Sequence, residues 1–289
     1  GVKPLLLLRL WQEGARLKFG RRVYVIHHGG RSWFWSRVIL PFAAHATIFH
    51  NERLGVRRWF RHWIALTNAH ARQLRALAGA RRVTVIPNAV PRAMMSAGAY
   101  KARSGPTFQV GAIGVLSDRK GFDILLQAMA RLVASGRNVR LTIAGTGEAR
   151  QSLETMAISL GLADHVQFIG WVKHPRQLYD KIDLLCVPSR AEPFGIVVIE
   201  AMAARVPVIA TRTDGPSEII EDGKTGWLLP IGDVDTLADQ IDALQSDPQT
   251  LSEIAAAAYA SVHERFGLDR VGRLIVETAI GARAHARQD

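Results

Sequence analysis

PSRAEPFGIVVIEAMAARVPVIA, residues 188–210, holds two glutamates, Glu192 and Glu200, eight positions apart across a junction between two patterns. Upstream, Ile182 to Val187 is a Leu/Ile/Val-rich run closed by Pro188, the signature of a buried parallel strand ending in a loop. Pro193 and Gly195 break that run, and apolar residues then recur at helical spacing from Gly195 to Ala204. The free N–H groups and positive dipole end of this helix face the same crevice as Glu192, where an anion is stabilised. A loop carboxylate such as Glu192 can accept from sugar hydroxyls, and a helical one such as Glu200 can hold a vicinal diol, each oxygen accepting one O–H. Two arbitrary glutamates are more often a helix cap and a solvated surface residue. Glu200, however, stands in a segment with almost no other polar residue, and a buried carboxylate needs a partner. A ligand is the partner expected from the sequence.

Working outward, the same alternation repeats. Strands are expected near 108–115, 139–145, 166–170, 183–187, 207–211 and 226–230, with helices between most of them, including one from Phe122 to about Ala134. This predicts an α/β doubly wound parallel sheet whose ligands gather at strand carboxyl ends. In the first half, strands are expected at 23–26, 64–67 and 83–86. At 289 residues, almost half of them apolar, the chain is long enough for two such cores. Lys120 lies between the first strand of the second half and the helix opening at Gly121, beside a positive helix end where phosphate binds. Gly145-Thr146-Gly147 follows a strand, but Arg150 occupies the place of a third dinucleotide-site glycine. These glycines read as a close turn bordering the pocket.

Several stretches resemble the retaining glycosyltransferases of family four. They are the Glu-x7-Glu of Glu192 and Glu200 with Phe194-Gly195, SDRKGFDILLQA from Ser117, LTIAGTGE from Leu141, VQFIGWV from Val166 and TDGPSEIIEDGKTGWLL from Thr213. The resemblance implies a GT-B fold of two Rossmann-like domains with parallel sheets. It divides the chain into an acceptor-side domain and hinge at 1–103, a donor-binding domain at 104–266 and a helical tail at 267–289. It also implies an incomplete N-terminal domain, lacking about 80 residues of an ordinary domain.

In the donor site so implied, Glu192 lies against the sugar, Glu200 binds the ribose and Lys120 clamps the diphosphate. Arg119, the turn glycines Gly145 and Gly147, and Phe194, Gly195 and Ile196 border the same donor. His27 and His28 end the first strand, and strand alternation lets one of them face the cleft; the reading prefers His28 as the catalytic histidine. The family's arginine shortly before the lysine is replaced here by Val115, so charge is missing there. The glycine usual after the Glu200 helix is Arg205, without a glycine's freedom to adopt positive φ. The expected activity is transfer of a sugar, with retention, from a nucleotide-diphosphate donor to a glycan or glycolipid hydroxyl. The competing expectation is a nucleotide-sugar-binding module without turnover.

No metal cofactor is expected. The histidines lack the spacing of a ligand cluster, and Asp233-Val234-Asp235 reads as a helix start before Thr236. Charge is polarised: residues 1–103 hold 19 Lys and Arg against Glu13 and Glu52, while the remainder holds 18 against 23 acids, giving +12 overall. Five of the seven tryptophans, Trp11, Trp33, Trp35, Trp59 and Trp63, share the basic half. That mixture suits an anionic membrane surface, and no nucleic-acid motif accompanies it. No run reaches the roughly 20 apolar residues of a spanning helix, so attachment is expected to be peripheral, at the cytoplasmic face. The single cysteine, Cys186, is expected as a packed thiol in a reducing compartment.

Overall fold

The computed structural model describes residues 24–28, 44–48, 62–78, 82–96, 98, 100 and 105–285. The chain divides into two compact units, Gly1–Pro87 with Gly272–Asp289, and Asn88–Val271.

In the first unit four strands, β1 (Tyr24–His28), β2 (Ala44–Ile48), β3 (His62–Ala65) and β4 (Arg82–Val85), pair in chain order, all parallel. Helix α1 (Asn68–Ala78) makes the crossover between β3 and β4. Thr67 starts it, its hydroxyl accepting the His70 N–H at 3.1 Å, which satisfies one of the donors a helix start leaves open. Trp63, Ala65, Ala71 and Leu74 form the small core between strand and helix. Trp63 is therefore a core residue, only 2 % exposed, and leaves the set of tryptophans expected at a membrane surface. The other four of that set, and most of the basic first half, lie outside the described residues.

The second unit holds a six-stranded sheet of order β10-β9-β8-β5-β6-β7, every neighbouring pair parallel. Its strands are β5 (Phe108–Ile113), β6 (Val139–Ala144), β7 (Val166–Gly170), β8 (Leu184–Val187), β9 (Val208–Thr211) and β10 (Trp227–Leu229). Between them run α2 (Phe122–Ala134), α3 (Arg150–Ser159), α4 (Arg176–Tyr179), α5 (Ile196–Ala203) and α6 (Asp214–Ile219). Helices α7 (Val234–Gln245) and α8 (Pro248–Phe266) follow, and α9 (Leu268–His285) leads back to the first unit. The central strands β8 and β9 are buried at every residue, as strands covered by helices on both faces must be. Cys186, in the middle of β8, is sealed in that layer, and burial pushes its thiol well above the ordinary range. Helix α2 closes one face through Phe122, Leu125, Leu126 and Met129, all buried against the sheet.

The units part at Pro87/Asn88 and Val271/Gly272. Hydrogen bonds from backbone and side chain tie the segment after Pro87 to the second unit. Val90 N–H donates to the Phe266 carbonyl at 2.9 Å, Ser96 N–H to Ala203 at 3.0 Å, and Arg176 Nη1 to the Met94 carbonyl at 2.9 Å. Residues 88–96 thus belong with the six-stranded sheet of the second unit. Chain order runs outward from β5 through β6 to β7 and resumes on the other side of β5 with β8, so β5 and β8 flank the topological switch point. In open α/β sheets the crevice beyond the carboxyl ends of such a pair is where ligands bind.

Candidate active site

Two loops leave the carboxyl ends of β5 and β8 and meet over the switch point. After β5 the chain forms a 3-10 turn, Asp118–Lys120, closed by Gly121 at φ 65°. A Cβ on Gly121 would lie 2.1 Å from the Pro188 carbonyl oxygen, so only glycine lets the lysine loop approach the end of β8 so closely. The Lys120 stem passes near Gly114, where a Cβ would stand 3.5 Å from its Cε, and its ammonium forms an ion pair with Glu192 Oε2. The two side chains are only 13 % and 10 % exposed, so the pair is largely shielded from water. The structure thus joins Lys120 and Glu192, which stand 72 positions apart in sequence.

The glutamate loop is anchored on its other side as well. Gly215 N–H donates to the Glu192 carbonyl at 2.9 Å, and a Cβ on Gly215 would overlap the Phe194 backbone. Gly195, at φ 90°, turns the chain into α5; a Cβ there would stand 3.4 Å from Glu192 Cγ. Phe194 faces inward with its ring edge-on to Phe266, while Ile196 is 45 % exposed at the start of α5.

Glu200 has a protein partner that the sequence did not reveal. The phenol of Tyr179, buried at the end of α4, donates to Glu200 Oε2 at 3.2 Å and also lies 3.4 Å from the Val197 carbonyl. One oxygen of Glu200 is thereby engaged, and a diol would bind chiefly through the other. Burial raises the Glu200 carboxyl above its usual range, with the Tyr179 hydrogen bond acting in the opposite sense. The same burial and the neighbouring carboxylate hold the Tyr179 phenol well above its ordinary value.

The remaining residues take varied positions. Arg119 directs Nη1 to the Ala191 carbonyl at 2.8 Å, so its guanidinium ties the two loops together. Gly145 and Gly147 meet the chain's own backbone: a Cβ on either would fall within 2.2 Å of the Gly114 or Leu116 carbonyl oxygen. Their small size packs the β6 turn against the β5 loop. Val115, five residues before Lys120, is exposed and presents no charge. His28 is the last residue of β1, in register with Ile48; the direction of its side chain lies outside the described residues. Arg205 adopts φ 61° at the end of α5, against the expectation that a non-glycine would avoid this region. The Arg205 and Val206 N–H groups close the helix on the Met202 and Ala201 carbonyls, and the Arg205 guanidinium lies 3.8 Å over the Tyr259 ring.

Asp233 caps α7 by accepting from Thr236 N–H at 3.0 Å, as its place in the sequence predicts. Among the described residues no three His, Cys, Asp or Glu side chains gather as a metal site would require. Nor is any described helix long and apolar enough to cross a membrane.

Residues 101–261 match the family model described as Glycosyl transferases group 1. The lipopolysaccharide core biosynthesis glycosyltransferase LpsE of Rhizobium meliloti is 32% identical over 162 residues, 56% of this chain and 46% of that protein. The alpha-D-kanosaminyltransferase of Streptomyces kanamyceticus is likewise 32% identical over 162 residues, 55% of this chain and 42% of its own length. The chain thus spans less than half the length of these relatives. Among solved structures, Anabaena HepE in complex with UDP-glucose superposes with a TM-score of 0.79 at 24% identity, covering 96% of this chain and 84% of that one. The two parallel sheets and this likeness give an α/β fold of the GT-B type.

Proposed function

Because this chain belongs to the glycosyl transferases group 1 family, we propose that it binds a nucleotide-diphosphate sugar over β5 and β8 and transfers the sugar to a hydroxyl of a glycan or lipid-linked glycan, with retention. The observation that carries this reading is the shielded Lys120–Glu192 pair across the switch point, a cation and a hydroxyl acceptor held together where α/β sheets take ligands. Relatives in lipopolysaccharide and aminosugar transfer, and the fold shared with a protein solved bound to UDP-glucose, support the substrate class.

In this reading the bond between the anomeric carbon and the phosphate oxygen breaks, and the electron pair leaves with the nucleotide diphosphate. The ammonium of Lys120 stabilises that growing charge, having donors to spare beyond the one given to Glu192. Glu192 orients the sugar through its hydroxyls while the ring carbon gains oxocarbenium character. The acceptor oxygen forms its bond on the face the phosphate leaves, and its proton passes to the departing phosphate oxygen. Glu200 takes the nucleotide ribose through the oxygen that Tyr179 leaves open. Within the same proposal Arg119, Gly145, Gly147, Phe194, Gly195 and Ile196 shape the donor pocket, His28 is the candidate catalytic histidine, and no metal takes part. The basic first hundred residues approach an anionic membrane surface.

A panel of nucleotide sugars incubated with the full chain tests the core of the reading. Expected are binding of one donor class, release or transfer of its sugar, and loss of both in Glu200→Ala. Binding without any turnover across the panel would point instead to a module that holds nucleotide sugars without reacting them. For the membrane surface, co-sedimentation with anionic vesicles should weaken as salt rises; equal behaviour with neutral vesicles would reject it.

A further inference from the structure

Arg190 is a residue the sequence reading passed over, yet it is the hub between the two loops of the site. Its backbone N–H donates to the Arg119 carbonyl at 2.8 Å, returning the contact that the Arg119 guanidinium makes with Ala191. Its own guanidinium reaches the Asp118 carbonyl at 2.7 Å and grips both oxygens of Asp123, in the first turn of α2, at 2.8 and 2.7 Å. One side chain two residues before Glu192 therefore holds the turn two residues before Lys120 and the helix start three residues after it.

The ion pair is part-exposed, 43 % on the arginine side and 32 % on the aspartate side. An ion pair so open to water adds little to global stability. What its fork geometry does supply is direction: a planar guanidinium with two parallel bonds to a carboxylate fixes orientation as an ammonium cannot.

We propose that Arg190 is a positioning residue for the transfer step, locking the β5 and β8 loops so that Lys120 and Glu192 meet the donor in one fixed arrangement. This rests on the functional reading above. Displacement of such groups by about 1 Å costs on the order of a hundredfold in rate. Arg190→Ala should therefore lower kcat by about tenfold to a hundredfold, change the donor KM far less, and leave Tm within about 3 °C of the parent. Methylguanidine added to Arg190→Ala should restore part of the lost turnover, whereas methylammonium should not, and Arg190→Lys should remain impaired. Hydrogen exchange gives a readout that needs no substrate: in Arg190→Ala, segments 115–123 and 188–195 should lose protection together while β6 and β7 keep theirs.

Unchanged kcat in Arg190→Ala, or a loss that Arg190→Lys or methylammonium repairs as well as methylguanidine does, would overturn the assignment. So would a loss of turnover that tracks a collapse in Tm. Should the parent chain show no turnover with any donor, the functional reading fails first. The exchange experiment then decides the clamp alone, and unaltered protection of 115–123 in Arg190→Ala would sink it.

Discussion

The two carboxylates that flank Gly195 live under opposite conditions. Glu192, on the loop side, is paired with a cation, and its loop is held by the Gly215 N–H and by the close approach of Gly195. Glu200, one turn before the end of α5, has a neutral phenol for a partner, and burial acts against its charge. The first position has a cation for a partner before any ligand arrives. At the second, charge is held at a cost that a ligand's hydroxyls would offset. Two glutamates in one short motif are thus separated into a cation-paired acid and a poised one by what surrounds them.

The largest effect should come from removing the cation. Lys120→Met is expected to lower transfer by about 10²–10³-fold, since developing phosphate charge loses its stabiliser. It should also lower stability by about 3 kcal/mol, because Glu192 stays nearly buried and uncompensated. Adding Glu192→Gln to it should return most of the stability in denaturant titrations and none of the transfer. Recovery of transfer would break the distinction drawn between the two acids. Next comes Gly121→Ala, where a methyl group has no space against Pro188 and the backbone stands at φ 65°. A loss of about 3 kcal/mol is expected, read from the denaturation midpoint at unchanged slope.

The poised acid gives a smaller effect of distinctive sign. Because burial raises the folded Glu200 carboxyl above its unfolded value, ionisation opposes folding: its favourable contribution is complete below the unfolded pKa and lost as pH rises through the folded one. Glu200→Gln should therefore raise the neutral-pH Tm by about 2 °C while weakening nucleotide binding about tenfold. Tyr179→Phe removes the one interaction that favours the charged form, so the acid limb of nucleotide binding should move to higher pH. The opposite behaviour is expected of Asp123. The Arg190 hydrogen bonds hold its carboxyl below the ordinary range, and the stability they confer is present above the unfolded pKa and fades as pH falls through the folded one.

The smallest effect belongs to the far end of α5. Arg205→Gly relieves a left-handed backbone worth about 1 kcal/mol but forfeits a guanidinium over an aromatic ring worth about as much. The net change should stay within about 1 kcal/mol by thermal melting. A large change of either sign would show that one of these two terms dominates at Arg205.

The six-stranded sheet was legible because its strands are short segments between helical periods, apolar throughout in β8 and alternating in β6 and β7. All six fall within two residues of the expected bounds, and α2 runs from Phe122 to Ala134 as its spacing predicts. In the first half β2, with the sequence AHATI, went unread, since alanine, histidine and threonine give no apolar run to find. Glu192, Glu200 and Lys120 were singled out by motif, and the fold then brought two of them into contact. Tyr179 and Arg190 were not, for a physical reason. Their importance lies in partners reached through tertiary structure, 21 positions away for Glu200 and 67 for Asp123, and no local period encodes such a contact. The turn glycines were legible as a close turn, and the backbone approaches they permit, to the Gly114 and Leu116 carbonyls, needed the fold to be seen.

The sulfhydryl of Cys186, locked inside the central strand, leaves the chain with no native thiol open to reagents. Any cysteine engineered onto its surface should hence take up a maleimide dye or spin label alone, without prior removal of the natural one. Distance reporters placed on the 115–123 and 188–195 segments could then follow the two loops as nucleotide sugars are added to an otherwise unaltered protein.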